Sequence, residues 1–174
     1  FKRIWDYLPR YRCHGGRSAM TKMTYRVYVK TSDDSKAGTN EDVWCQLIGT
    51  QGETAVCHFD IGGYNDFEKG DSQGYVIMDD DIGELTHIQF ALTAEGSYAG
   101  EVSLTVAGDF KGASAGVEFG NVERWKSQHH SPMWKLDHAR VHAYLLADLV
   151  EVQRAVFTAD RWVAPGNVIR ISKD

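Results

Sequence analysis

Apolar residues return at every second position over most of this chain. In Tyr25-Arg26-Val27-Tyr28-Val29-Lys30, Tyr25, Val27 and Val29 share one face, and Arg26, Tyr28 and Lys30 share the other. That is the pattern of a strand buried on one side. Val43, Cys45 and Leu47 alternate with Trp44, Gln46 and Ile48, which predicts a second strand closed by the turn Gly49-Thr50-Gln51-Gly52. Further strands are expected over 54–59, 74–78 and 86–92, the last with Ile88, Phe90 and Leu92 inward. The polar stretch 31–41 and the Asp- and Gly-rich stretch 60–71 read as loops. Strand character resumes over 136–145, 149–157 and 168–171. Many short strands with frequent turn signals, and no alternation of strands with long helices, predict an antiparallel β-sandwich. The expected architecture is all-β, with two sheets of about four strands each.

Two segments break the pattern. Residues 1–21 form an N-terminal arm with interleaved aromatics, Phe1, Trp5, Tyr7 and Tyr11, and a short helix is expected around 4–8, stopped by Pro9. Residues 93–130 are dense in Ala and Gly, and Val102, Leu104 and Val106 alternate on their own, the mark of an inserted hairpin. The chain therefore divides into an arm, 1–21, and a sandwich, 22–174, with an insertion at about 93–130.

The length of 174 residues suits one domain. Seventeen Gly against three Pro, with five Trp, eight Tyr and seven Phe, agree with strands and tight turns. Charge is uneven: the formal net of −5 divides into +4 over residues 1–20 and −9 over the rest. An acidic body argues against nucleic acid as a partner, because phosphate binding needs a basic face. The arm, carrying Arg3, Arg10 and Arg12 beside Trp5, suits an acidic partner or an anionic membrane. Three cysteines without a CxxC argue against a zinc ribbon and a disulfide scaffold. Cys45 and Cys57 lie symmetrically about Gln51, so they are expected to face each other across two strands, as free core thiols or as a bridge. An odd cysteine count and Phe at position 1 lean towards an organellar protein, mitochondrial or plastid and peripheral to a membrane, after loss of a targeting peptide.

The motifs, in order, are Tyr25 to Thr31, Ala37-Gly38-Thr39 leading to Asp42-Val43-Trp44, then Leu47-Ile48-Gly49 and Phe67-Glu68-Lys69-Gly70. Ile82-Gly83-Glu84-Leu85, Ser131-Pro132-Met133-Trp134 and Phe157 to Trp162 complete the series. Together, over about residues 22–163, they resemble the PLAT (LH2) domain of lipoxygenases, lipases, polycystins and a bacterial phospholipase toxin. Trp134 and Trp162 read as core plugs, Phe67 and Phe157 as packing between the sheets, and Gly38 as a turn residue tolerant of positive φ. The arm and the insertion of roughly thirty residues depart from the family pattern.

The resemblance implies an accessory role, with catalysis left to a partner domain, and possible calcium at one end of the sandwich. Calcium takes six to eight hard oxygens. Asp33, Asp34, the Gly38 carbonyl, Asn40 and Glu41 supply them from the first loop, and Asp60, Asn65 and Asp66 from the second. The candidate ligands are Asp34, Gly38, Asn40, Asp60 and Asp66; the bland reading is a solvated acidic loop. Lys36, standing where calcium-binding relatives can carry a carboxylate, opposes a second cation. Trp44 on the outward phase of its strand and Tyr64 at a loop tip are candidate membrane or partner contacts. His129-His130 lacks the companion ligands of a metal site, and His138 and His142 share a sheet face. No GxSxG elbow or phosphate loop is present, so no catalysis is expected.

The expected function is a non-catalytic interaction module, an accessory subunit of a membrane-associated assembly that binds through the arm, the insertion and the loop end. The alternative is a calcium-dependent lipid-targeting module of a larger enzyme or channel.

Overall fold

The computed structural model describes residues 12–14, 21–61, 65–93, 103–104, 110–111 and 133–174. Its strands are β1 (Arg12–His14), β2 (Lys22–Thr31), β3 (Asp42–Gly49), β4 (Gly52–Glu53), β5 (Cys57–Phe59) and β6 (Ser72–Asp80). Then follow β7 (Leu85–Thr93), β8 (Ser103–Leu104), β9 (Phe110–Lys111), β10 (Trp134–Leu145), β11 (Glu151–Val163) and β12 (Val168–Ser172). One sheet runs in the order β1-β6-β2-β10-β11; the other runs β12-β7-β3-β4, with β5 also on β3. All these pairings are antiparallel except β1 on β6. This is the expected two-sheet sandwich. Within the expected insertion, β8 and β9 pair antiparallel as a hairpin does. The arm's expected helix, Arg3, Trp5, Arg10, Tyr64 and His129-His130 lie outside the described residues, and Arg12 is described only as backbone in β1.

Alternation sets the layers. Tyr25, Val27 and Val29 on β2 turn inward and are buried, as are Val43, Cys45 and Leu47 on β3 and Ile88, Phe90 and Leu92 on β7. Each such apolar side chain contributes about 1.5–3 kcal/mol through removal from water. Aromatic rings fill one end of the core. Phe59 stacks on Tyr75 at 4.1 Å between centroids, and Phe67 lies over Tyr75 at 5.7 Å. Trp134 meets Phe67 and Phe90 edge-on at 5.2 and 5.5 Å. Its indole N–H donates to the buried Thr31 hydroxyl at 2.9 Å, so the ring is buried with its polar group satisfied.

Several expectations change. The strand expected over 54–59 is interrupted over 54–56: the Thr54 N–H still donates to the Leu47 carbonyl, but the Leu47 N–H donates back to the Thr54 hydroxyl, and the Thr54 carbonyl accepts from Gln46 Nε2. Trp162 is not a core plug. It pairs with Lys135 on the outward phase of β11, half-buried, with Lys135 Nζ 5.9 Å from the ring centroid. Gly38 is not a left-handed residue; Lys36 is, at φ 64°. Gly38 is needed for close approach instead. A Cβ there would stand 2.9 Å from Lys69 N and 3.1 Å from Phe67 O, both backbone atoms. Cys45 and Cys57 do face each other across β3 and β5, but no bridge joins them. Cys45 is a free, fully buried thiol, whereas Cys57 is engaged in a disulfide.

Candidate functional site: an acidic pocket at one end of the sandwich

The loop between β2 and β3 and the loop between β5 and β6 are tied together by backbone hydrogen bonds. Thr39 N–H donates to Phe67 O, Gly70 N–H to Ser32 O, and Thr31 N–H to Asp71 O. The turn at 67–70 has Phe67 at φ 60° and Gly70 at φ 76°. A left-handed phenylalanine costs about 1–2 kcal/mol. Its ring is buried beneath Trp134, and its N–H donates to Gln73 Oε1 at 3.1 Å, which offsets that cost.

Above this aromatic floor the two loops enclose a pocket of about 310 Å³. Asn40, Glu41, Asp42, Asp60, Asn65 and Asp66 line it, with His58 on one wall and no Lys or Arg among the lining residues. Asp66 holds the second loop in place: Oδ2 accepts from Ile61 N–H, and Oδ1 accepts from the Tyr75 hydroxyl at 3.2 Å. Burial pushes its carboxyl pKa up, and the neighbouring Asp60 carboxylate adds to the rise. Asp42 Oδ1 lies 3.2 Å from His58 Nε2, and the His58 ring packs against Trp44 at 4.7 Å. Among the described residues, no three His, Cys, Asp or Glu side chains stand close enough to hold one metal ion. The donor chemistry still suits calcium: hard oxygens from two loops, like charges without a lining Lys or Arg, and one carboxyl already burdened by the next.

The predicted ligands divide. Asn40, Asp60 and Asp66 line the pocket together. Gly38 is wedged against the 67–69 backbone, and Lys36 is exposed and does not line the pocket. Asp34 lies apart, its carboxylate accepting from Lys135, which holds its pKa below the usual carboxylate range. Trp44 sits half-buried on the outer face of its sheet, donating from Nε1 to Thr93 Oγ1 at 2.9 Å. Sequence reasoning missed Asp42 and His58 as pocket residues. The signal was available in the strand register: Trp44 pairs with His58 across β3 and β5, on the outward face that Asp42 shares.

This pocket sits on a two-sheet antiparallel β-sandwich of the kind that carries its variable chemistry in end loops. Residues 25–171 match the family model for the PLAT/LH2 domain, and the chain belongs to that family. The allene oxide synthase-lipoxygenase protein of Plexaura homomalla is 30% identical over 77 residues, which cover 44% of this chain and 7% of that protein. A calcium-dependent 11R-lipoxygenase superposes with a TM-score of 0.54 at 21% identity, covering 87% of this chain and 17% of its own. Coral 8R-lipoxygenase, whose calcium activation is described as acting through a C2-like domain, gives a TM-score of 0.54 at 20% identity, covering 86% of this chain and 17% of its own. At these identities the structural likeness shows the fold.

Proposed function

We propose that this chain is a non-catalytic, calcium-responsive targeting module, which brings a larger protein or assembly to an anionic membrane surface. The acidic pocket carries this reading: carboxylates and amides from two tied loops meet there without a lining Lys or Arg. The lipoxygenase relatives described as calcium-activated or calcium-dependent support it. When bound, calcium would supply positive charge that links carboxylates to lipid phosphate. Asn40, Asp42 and Asp60 would have to draw in from the two loops to hold the ion, since no three acidic side chains among the described residues stand close enough for one as the loops lie, while Asp66 positions the second loop through Ile61 and Tyr75. Without the ion, the same carboxylates repel anionic headgroups. The chain spans less than a fifth of the lipoxygenases it superposes on, so any reaction of the whole protein belongs to this proposal's partner domain.

A second reading, an accessory module that docks on protein, is favoured by a separate feature. Leu149, Val150 and Val152 at the β10–β11 hairpin and the nearby Val156 are large apolar residues left exposed. Exposed apolar side chains gathered along one hairpin suit a protein contact.

Calorimetry with calcium in chelator-stripped buffer, followed by sedimentation with phosphatidylserine vesicles, tests the leading reading. Binding that Asp60→Asn and Asp42→Asn weaken, with calcium-dependent sedimentation, is expected. No heat and no change in melting temperature up to millimolar calcium, the weak end of protein calcium sites, would overturn it.

A further inference from the structure

The outer face of the β6-β2-β10 region holds a second hollow, which shares no lining residue with the acidic pocket. It measures about 300 Å³ and is lined by Tyr28, Lys30, Ser72, Gln73, Gly74, His138 and Arg140. Register explains its shape. Tyr28 lies between Gly74 on β6 and Arg140 on β10, and Lys30 lies between Ser72 and His138. Gly74 has no side chain, so the sheet opens beside the Tyr28 ring.

Its cations are held in position. The Arg140 guanidinium lies over the Tyr28 ring, 5.0 Å from the centroid. Lys30 Nζ donates to the Gly70 carbonyl and stands 3.7 Å from Asp33 Oδ1. His138 Nδ1 lies 2.6 Å from Asp137 Oδ2. No carboxylate lines the hollow itself, in a chain of net charge −5. Arg140 is exposed and makes no hydrogen bond or ion pair among the described residues, so its N–H edges are open to a ligand. A guanidinium fork, an ammonium, an imidazole and a serine hydroxyl around one hollow are the donor set for a phosphate monoester.

The geometry points to a phosphate-binding site on this sheet face, independent of calcium, that takes a phosphate monoester. Arg140 supplies the fork, Lys30 the point charge, and Ser72 and His138 the remaining donors. The phosphate comes from a soluble ester or from a phosphorylated lipid headgroup; the chemistry is shared, and the experiment separates the two.

Work with the whole chain in excess chelator keeps this test apart from the calcium reading. The probes are inositol 1,4,5-trisphosphate, by calorimetry, and phosphatidylcholine vesicles doped with phosphatidylinositol 4-phosphate, by sedimentation. Either form of binding is expected to weaken by about tenfold or more in Arg140→Gln, the factor carried by one lost charge-assisted hydrogen bond. Ser72→Asp, which puts a carboxylate on an exposed rim position, is expected to weaken it as well. Lys173→Gln, whose ammonium pairs with Glu84, is the control expected to leave binding unchanged. Binding of the trisphosphate identifies a soluble ester as sufficient, whereas binding of vesicles alone assigns the site to lipid. No binding to either probe, or binding that Arg140→Gln and Ser72→Asp leave within twofold of the parent, overturns the proposal.

Discussion

Replacing Gly38 by alanine tests whether space or backbone conformation selects glycine in the first loop. The added Cβ would meet Lys69 N at 2.9 Å, Phe67 O at 3.1 Å and Glu68 Cα at 3.2 Å. All three atoms are backbone, in a turn anchored by Phe67 packing and by the Thr39–Phe67 and Gly70–Ser32 hydrogen bonds. Relief requires the two loops to part. Overpacking of this kind costs about 1–3 kcal/mol, and the reduced freedom of the unfolded chain returns about 0.4–1 kcal/mol. The net expectation is a loss of roughly 1–2 kcal/mol, using those two ranges. For a chain of this size that lowers Tm by about 2–8 °C. Lys36→Gly is the counterpart, since Lys36 is the residue at φ 64°. It should be neutral or stabilising by up to about 1 kcal/mol, the left-handed penalty relieved less the entropy of glycine. Differential scanning calorimetry of both variants decides. A Gly38→Ala protein melting within a degree of the parent, or a Lys36→Gly protein clearly destabilised, would refute the reasoning. Because the parting loops carry Asn40 and Asp66, Gly38→Ala should also weaken calcium binding if the proposed function holds.

Trp134→Phe removes the indole N–H from the buried Thr31 hydroxyl and shrinks a fully buried ring; a loss of about 2–4 kcal/mol is expected in urea unfolding. Glu151 accepts from Arg154, His142 and Tyr144, and the Arg154 bond above all lowers its pKa from 4.5 to about 2. A depressed carboxylate pKa gives stability that is present above pH 4.5 and lost as pH falls towards 2. Glu151→Gln should therefore flatten the acid limb of stability in that window, as thermal melts across pH would read, with a small effect because the group is solvent-screened. Burial pushes the Cys45 thiol pKa well up. The peptide carrying Cys45 should thus resist iodoacetamide in the native protein and label only on unfolding, as mass spectrometry would show.

The layers of this sandwich were legible because burial on one face imposes a period of two. Tyr25, Val27 and Val29, or Val43, Cys45 and Leu47, declare an inward face before any neighbour is known. The order of the PLAT motifs then placed two acidic loops at one end, and Asn40, Asp60 and Asp66 do meet in the pocket. Three-dimensional contacts decided the rest. Asp34 carries the same side chain as Asp60, yet it faces Lys135, about a hundred positions along the chain, a proximity that no local pattern encodes. Trp134 and Trp162 both read as core residues, but only Trp134 is fully buried, because β11 carries Trp162 on its outward phase. Glycine at position 38 was predictable; its cause was not, because the atoms that exclude a side chain belong to residues 67–69. The basic hollow was invisible for the same reason. Lys30, Ser72 and His138 come from three strands and become neighbours only through register. Sequence by itself determined which faces are buried, since hydrophobic periodicity is local. Tertiary structure alone decided which charges meet, since Coulomb and hydrogen-bond energies depend on distances set by pairing between remote strands.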